Sequence, residues 1–405
     1  MRILYKNIKQ LLQVRPTGVK ILQGIAMGIL PKIEHAWLLV ENGLIQDFGE
    51  MKSCPQNIKE EVDCIGRIIL PTWCDSHTHI VFAESREEEF VMKIKGQSYE
   101  DIAKSGGGIL NSARKLSKLS EDFLYKKAAE RLVEMINYGT AAVEIKSGYG
   151  LSLEAEIKML KVIKRLKENF KIPIKANLLA AHAIPLEYKD RREEYIKLII
   201  DEIIPLVAKE NLAEYIDVFC EKGFLTVEET DRILKAGKKY GLIPKIHANQ
   251  LSVSGGVQVG LANKALSVDH LEQITEKEIS VLRCTSTMPT ALPSCSFFLG
   301  LPYTPARKMI DSNLSLSLAS DFNPGSTPSG NMQFVVSLAC IKMKMTPEEA
   351  INAATINAAY AMGVSETHGS ITKGKKASFI ITKKIPSYAY IPYSFGENIV
   401  FKTIL

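Results

Sequence analysis

His77-Thr78-His79 closes an apolar run, Ile68-Ile69-Leu70-Pro71-Thr72-Trp73-Cys74-Asp75-Ser76. Along a strand, side chains at i and i+2 point to one face, so two imidazoles at this spacing can grip one metal ion. His247 and Asp321 also stand at the ends of apolar runs and complete a set of three nitrogen ligands and one carboxylate. A zinc-type ion takes such ligands, and in a catalytic site it keeps one position for water. The ion lowers the pKa of that water to about 7, which makes a nucleophile at neutral pH. The chemistry expected of these four residues is metal-dependent hydrolysis. The donor set suits zinc or iron, so one Zn or Fe ion per subunit is expected.

Such ligands need a frame that brings distant strand ends together. Strand-like runs lie at 68–77, 141–147, 174–181, 216–221, 243–248, 266–270, 284–288 and 315–321. Helix-like segments alternate with them. Thr226…Glu229, Thr275…Glu278 and Thr346-Pro347-Glu348-Glu349 carry the capping-box pattern of a helix start, and Gly139, Gly241 and Gly363 follow helical periods as C′ glycines do. Eight strands alternating with helices suit an α/β fold of the (β/α)₈ TIM-like barrel type, in which active residues sit at the C-terminal ends of the strands. His77, His79, His182, His247, His270 and Asp321 all fall at or just past such ends, and only His35 and His368 of the seven histidines lie elsewhere. A doubly wound open sheet is the structural alternative, but no G-x-G-x-x-G follows a strand to support it.

Residues 1–67 read as short strands. Asn42-Gly43 between Leu38-Leu39-Val40 and Leu44-Ile45 is a hairpin signal, because both turn positions favour positive φ. The same style resumes from Ile371, with Gly374-Lys375-Lys376 as a turn before Phe379-Ile380-Ile381. Three parts are therefore expected: a barrel over 68–370, and a small β-sandwich domain built jointly from 1–67 and 371–405. Gly106-Gly107-Gly108 lacks the Gly-Lys-Ser/Thr of a phosphate loop. It reads instead as a flexible stretch over the barrel mouth, where 80–120 can form a lid.

The chain has 405 residues, 46% hydrophobic and 24% charged, with a net charge of +6, which is ordinary for a globular protein. Its basic residues are scattered among acids, so no nucleic-acid surface is indicated. Seven cysteines without a CxxC pair argue against a disulfide framework or a cysteine-ligated zinc. A reducing, cytoplasmic setting is expected. No run reaches the roughly 18 apolar residues of a membrane span.

Several segments narrow the reading. They are Asp75-Ser76-His77-Thr78-His79, Glu84-Ser85-Arg86-Glu87-Glu88-Glu89-Phe90, Gly106-Gly107-Gly108-Ile109, Glu144-Ile145-Lys146-Ser147-Gly148-Tyr149-Gly150, Ala181-His182-Ala183, Asp217-Val218-Phe219-Cys220-Glu221, His247-Ala248-Asn249-Gln250, Asp269-His270-Leu271-Glu272 and Asp321-Phe322-Asn323-Pro324-Gly325-Ser326. In order and content they resemble the imidazolonepropionases of the amidohydrolase superfamily. The resemblance implies ring-opening hydrolysis of 4-imidazolone-5-propanoate to N-formimidoyl-L-glutamate, in histidine degradation. It also implies a homodimer acting on a small molecule.

Substrate chemistry agrees with the residues. Arg86 offers a planar donor fork for the propanoate carboxylate, although from the residues alone it reads as a surface salt bridge in an acid-rich run. Tyr149 follows a strand in a Gly-flanked loop, so its hydroxyl can reach a ligand. The resemblance adds Tyr99 as a substrate contact, His182 as a binder of ring or carboxylate, and Asn323, Gly325 and Ser326 near substrate or product. A base and an acid are needed for the water and the departing ring nitrogen, and His270 and Asp321 are the candidates. Gln250 stands where many related deaminases carry Glu. An amide cannot shuttle a proton but can hydrogen-bond the ring. Asn249 departs from the Asp common in this segment, which leaves open whether a carboxylate behind the ligands is missing. Binuclear relatives use a modified Lys within the fourth strand; here Lys222 falls just beyond it, so one ion is favoured. Two rivals stay open: a deaminase or other cyclic-amide hydrolase of the same superfamily, and a non-catalytic binder that keeps the barrel.

Overall fold

The computed structural model of the protein describes residues 1–97 and 107–405, so Tyr99 and Gly106 lie outside the described residues. The chain opens with β1 (Arg2–Leu12), β2 (Lys32–Glu41), β3 (Leu44–Glu50), β4 (Glu60–Asp63) and β5 (Arg67–Pro71). Asn42 (φ 51°) and Gly43 (φ 75°) make the two-residue turn between β2 and β3, as their types require. Nine further strands follow: β6 (Trp73–Thr78), β7 (Thr140–Lys146), β8 (Ile174–Ala181), β9 (Tyr215–Cys220), β10 (Ile243–Pro244), β11 (Ile246–Ala248), β12 (Ser267–His270), β13 (Met288–Ala291) and β14 (Ser317–Leu318). The last two, β15 (Phe379–Lys384) and β16 (Val400–Ile404), return to the first sheet.

That first sheet is continuous, in the order β16-β15-β5-β1-β2-β3 with β4 also on β1. Its apolar side gathers residues from both chain ends, and Tyr5 meets Phe379 edge to face at 5.1 Å. The second sheet is parallel throughout, in the order β14-β13-β12-β11-β9-β8-β7-β6, with β10 adding to β9. β10 and β11 together make one stave, so eight staves stand in a ring. A parallel bridge from Thr78 to Phe322 joins the first stave to the segment after the last.

Helices cover the outside, as a parallel sheet demands. All three expected capping boxes form, at Thr226, Thr275 and Thr346. Gly139 (φ 90°), Gly241 (φ 83°) and Gly363 (φ 64°) adopt the left-handed conformation expected after helices. Four strands differ from expectation: 243–248 is broken at Lys245 into β10 and β11, 315–321 keeps only Ser317–Leu318, and two others depart further. The run 68–77 is split at Thr72: β5 pairs in the small sheet with β1 and β15, and only β6 enters the barrel. An apolar run reads the same in either sheet, so its pattern does not reveal the crossing. The strand expected at 284–288 begins at Met288, because the chain is still leaving a helix. There Cys284 N–H donates to Val281 O and Thr285 N–H to Leu282 O.

Gly139 sits where the barrel meets the small sheet. A Cβ there would lie 2.5 Å from Ile380 Cδ1, whereas one on Gly241 would meet nothing within 4 Å. Gly241→Ala should therefore cost about 1 kcal/mol, from backbone strain alone. Gly139→Ala should cost about 1–3 kcal/mol more through overpacking. Urea denaturation of both variants reads the difference, and equal losses would remove the packing argument.

Candidate active site

Barrel closure and ligand placement are one event. Asp321 N–H donates to His77 O at 3.0 Å, and His79 N–H donates to Phe322 O at 2.9 Å. The two ends of the ring are thus stitched by the residues whose side chains turn inward. His77, His79 and His247 are buried and offer ring nitrogens within 4.8 Å of one another. His77 Nε2 and His79 Nε2 are 3.3 Å apart, and Asp321 Oδ1 lies 3.6 and 3.5 Å from them. The His270 ring stands 5.5 Å from that of His77 and 5.3 Å from that of His247, centre to centre.

Beneath the imidazoles lies a buried charged floor. Inward positions of the strands carry Glu144 and Lys146 (β7), Asn177 (β8), Asp217 (β9) and Asp269 (β12), with Lys245 between β10 and β11. Lys146 Nζ donates to Glu144 at 2.6 Å and Asp217 at 2.7 Å, and it lies 3.6 Å from Asp269. Lys245 Nζ bonds Glu144 and, at 3.0 Å, Ser76 O. The carboxylates then reach up: Asp269 Oδ2 to His77 Nδ1 at 2.7 Å, and Asp217 Oδ1 to His247 Nδ1 at 3.0 Å. Burial opposes the Lys146 charge, but Asp217, Glu144 and Asp269 outweigh it and raise its pKa. Burial likewise opposes ionisation of Asp217, which His247 and Lys146 hold well below the carboxylate range.

This floor tests whether a cation fits. In neutral imidazole one nitrogen donates and the other accepts. With Nδ1 facing a carboxylate, Nε2 of His77 and of His247 is a lone pair. Among the described residues, His247 Nε2 is buried without a hydrogen-bond partner, as is His79 Nδ1. Burial above all keeps His77 and His79 far below the usual imidazole range; Lys146 reinforces this for His77 and His182 for His79. Converging neutral imidazoles beside a carboxylate, braced from behind by carboxylates, are the donor set of a metal centre. His270 differs. Burial pushes its pKa down, but Glu272, 3.4 Å from Nδ1, with Asp321 and Asp269, brings it above the ordinary value. Burial raises Asp321, against His270 and His247.

A cavity of about 450 Å³ opens above the cluster, lined by His79, Arg86, Tyr149, His182, Gln250 and Asp321 among others. Arg86, at the start of the helix Glu87–Ile94, donates from Nε to Ser112 Oγ at 2.8 Å, while its buried Nη2 has no partner among the described residues. Gly325 makes room for it, because a Cβ there would lie 2.5 Å from Nη1. His182 stacks on His79 and turns Nδ1 to Gly148 O at 3.1 Å. Burial, then His247, holds its pKa down to about 3. The proton on Nδ1 is therefore spent on Gly148, and His182 presents an acceptor, which suits a ring N–H and not a carboxylate. Gln250 Nε2 points to Cys295 Sγ at 3.3 Å.

Asn323 spends its whole side chain on its own loop. It donates to Asp321 O and Ser326 Oγ and accepts from the N–H groups of Gly325 and Ser326. It shapes the turn that carries Ser326, whose hydroxyl donates to Asp321 Oδ2 at 3.1 Å. Asn249 is likewise a backbone matter: it sits at φ 55°, bonding Glu278 and Ser254. The sequence reading overlooked Glu144, Lys146, Asp217, Lys245 and Asp269 as site residues. The available signal was charge at alternate positions inside otherwise apolar strands.

Residues 68–403 match the amidohydrolase family model. The E. coli guanine deaminase structure superposes with a TM-score of 0.74 at 16% identity, covering 100% of this chain and 98% of that one. An adenosine deaminase from Xanthomonas campestris with bound zinc gives 0.69 at 16%, covering 100% and 91%. At those identities the likeness concerns the fold. The chain belongs to the amidohydrolase family. It is 60% identical over 399 residues to the imidazolonepropionase of Christiangramia forsetii, covering 98% of this chain and 97% of that one. Against the imidazolonepropionase of Flavobacterium psychrophilum it is 58% identical over 401 residues, covering 99% and 98%. Within the amidohydrolases, its place is in the imidazolonepropionase family.

Asp217→Asn should weaken Zn²⁺ binding about 10–100-fold, because the His247 tautomer and ring orientation lose their anchor. Competition against a chromophoric chelator measures this, and unchanged affinity would detach the floor from the metal.

Proposed function

We propose that this chain hydrolyses the ring C–N bond of 4-imidazolone-5-propanoate to N-formimidoyl-L-glutamate, in histidine degradation. The observation that carries the reading is one cavity lined both by His79 and His247 of the converging cluster and by Arg86, whose buried Nη2 has no partner among the described residues. The names of the close relatives agree with it. In this reading the barrel, whose first strand starts at Trp73 and not at 68 as expected, carries the chemistry up to residue 370, and the β domain of 1–71 and 371–405 buttresses it.

His77, His79, His247 and Asp321 would hold one zinc or iron ion. When bound, that ion supplies Lewis acidity and acidifies a water to a pKa of about 7. The Arg86 fork pairs with the propanoate carboxylate. Burial keeps the Tyr149 hydroxyl protonated and able to donate. His182 accepts a ring N–H, and Gln250 serves the ring as donor and acceptor. Asp321 and His270 take the proton from the attacking water and return one to the ring nitrogen as its bond to the carbonyl carbon breaks. Glu272 steadies His270 at Nδ1, which leaves Nε2 for that transfer. Asn323 holds the loop that presents Gly325 and Ser326. The resemblance also carries the expectation of a homodimer, and the cysteine pattern that of a cytoplasmic setting; no helix among the described residues is long and apolar enough to cross a membrane.

A spectrophotometric assay with 4-imidazolone-5-propanoate, with metal quantified on the same sample, should show turnover and one ion per chain. Ammonia release from amino-heterocycles without that turnover would overturn the proposal, and two tightly held ions would overturn the single-metal part. His270→Ala should lower kcat by about 10²–10⁴-fold as proton transfer is lost. Wild-type turnover in that variant would remove the assignment.

A further inference from the structure

Between β7 and the helix Leu153–Asn169 runs the loop Gly148-Tyr149-Gly150-Leu151, with Gly148 at φ 105° and Leu151 at φ 53°. Glycine adopts the first of these freely, whereas a leucine rarely takes the second. The loop is held by one carboxylate. Glu156 Oε1 accepts from Gly150 N–H at 2.7 Å and Leu151 N–H at 2.9 Å, and Oε2 accepts from Gly148 N–H at 3.1 Å. Ser147 Oγ adds a side-chain hydrogen bond to the same group while accepting from Leu179 N–H. Glu156 is fully buried, on the first turn and a half of its helix, where the helix dipole also favours a negative charge.

Both side chains that this loop controls face the cavity. Tyr149 lies between two backbone N–H groups pinned by Glu156, and His182 takes its orientation from Gly148 O. The glycines are needed for close approach: a Cβ on Gly148 would lie 2.9 Å from His182 Nδ1, and one on Gly150 would lie 2.4 Å from Glu156 N. The Lys-Ser-Gly-Tyr-Gly motif is therefore a backbone arrangement complementary to a residue six positions beyond it.

We propose that Glu156 is a positioning residue for substrate binding, its carboxylate fixing the 148–151 loop so that Tyr149 and His182 are aimed into the cavity. This rests on the proposed reading that those two side chains hold the substrate. Glu156→Gln keeps the shape but puts an NH₂ against a backbone N–H at one end, so at least one charge-assisted bond is lost.

The test is steady-state kinetics of Glu156→Gln with 4-imidazolone-5-propanoate, alongside metal content and calorimetric Kd for N-formimidoyl-L-glutamate. KM and Kd should rise about tenfold, from the loss of a charge-assisted bond, with kcat and metal content nearly unchanged. In a background already carrying Tyr149→Phe and His182→Asn the same substitution should cost much less, since the groups it positions are gone. A KM and Kd equal to wild type would overturn the proposal, as would a cost that persists in full in that background. If Tyr149→Phe and His182→Asn by themselves leave KM and Kd unchanged, the underlying site reading fails and takes this inference with it. Should Glu156→Gln not fold, Gly150→Ala displaces the loop while leaving the carboxylate, and its KM is judged by the same criteria.

Discussion

Two hydrogen bonds underlie the rest of the structure: Asp269 to His77 Nδ1 and Asp217 to His247 Nδ1. They decide which nitrogen of each ring is a lone pair and where it points. Carboxylates buried this deeply are costly unless paired. Lys146 pairs with both, Glu144 binds Lys146 and Lys245, and Asn177 donates to Glu144 and Asp217. The interior of this barrel below the site is thus a closed charge lattice where bulky aliphatic layers are the usual filling. Its cost is recovered as orientation, because rings braced this way lose little entropy when a cation arrives.

The site also concentrates backbone strain. His270 (φ 86°), Leu271 (φ 67°), Asp321 (φ 58°) and Asn249 (φ 55°) all occupy the left-handed region. Each lies where a strand ends and the chain must turn at once to keep a side chain over the barrel axis. Local bonds hold these turns: Thr304 Oγ1 donates to His270 O at 2.7 Å, and Leu271 N–H donates to Ala248 O. Strain of this kind persists only when the surroundings over-determine it, and here neighbouring strands do so.

Features governed by near neighbours were legible in the residues. The capping boxes at Thr226, Thr275 and Thr346, the Asn42-Gly43 turn and the C′ glycines need only a few consecutive positions to be specified. The start of β13 at Met288 was not legible, because the helix exit that delays it depends on where Leu282 packs. The crossing at Thr72 was hidden for another reason: β5 and β6 are both fully sandwiched, and burial on two sides erases the alternation that would tell one sheet from another. The place of Asn249 at φ 55°, between Glu278 and Ser254, was likewise not legible, because Glu278 lies on another segment.

Residue types at period-two spacing were enough to place His77 and His79 on one face and to put His247, His270 and Asp321 at strand ends. That follows from strand geometry alone, which is local. Which strand stands beside which, and so which carboxylate braces which imidazole, is a property of the closed ring. Likewise, Gly325 admitting Arg86, and Glu156 gathering the loop around Tyr149, depend on contacts between separate elements. Such contacts are set by three-dimensional packing, where distance along the chain carries no information about distance in space.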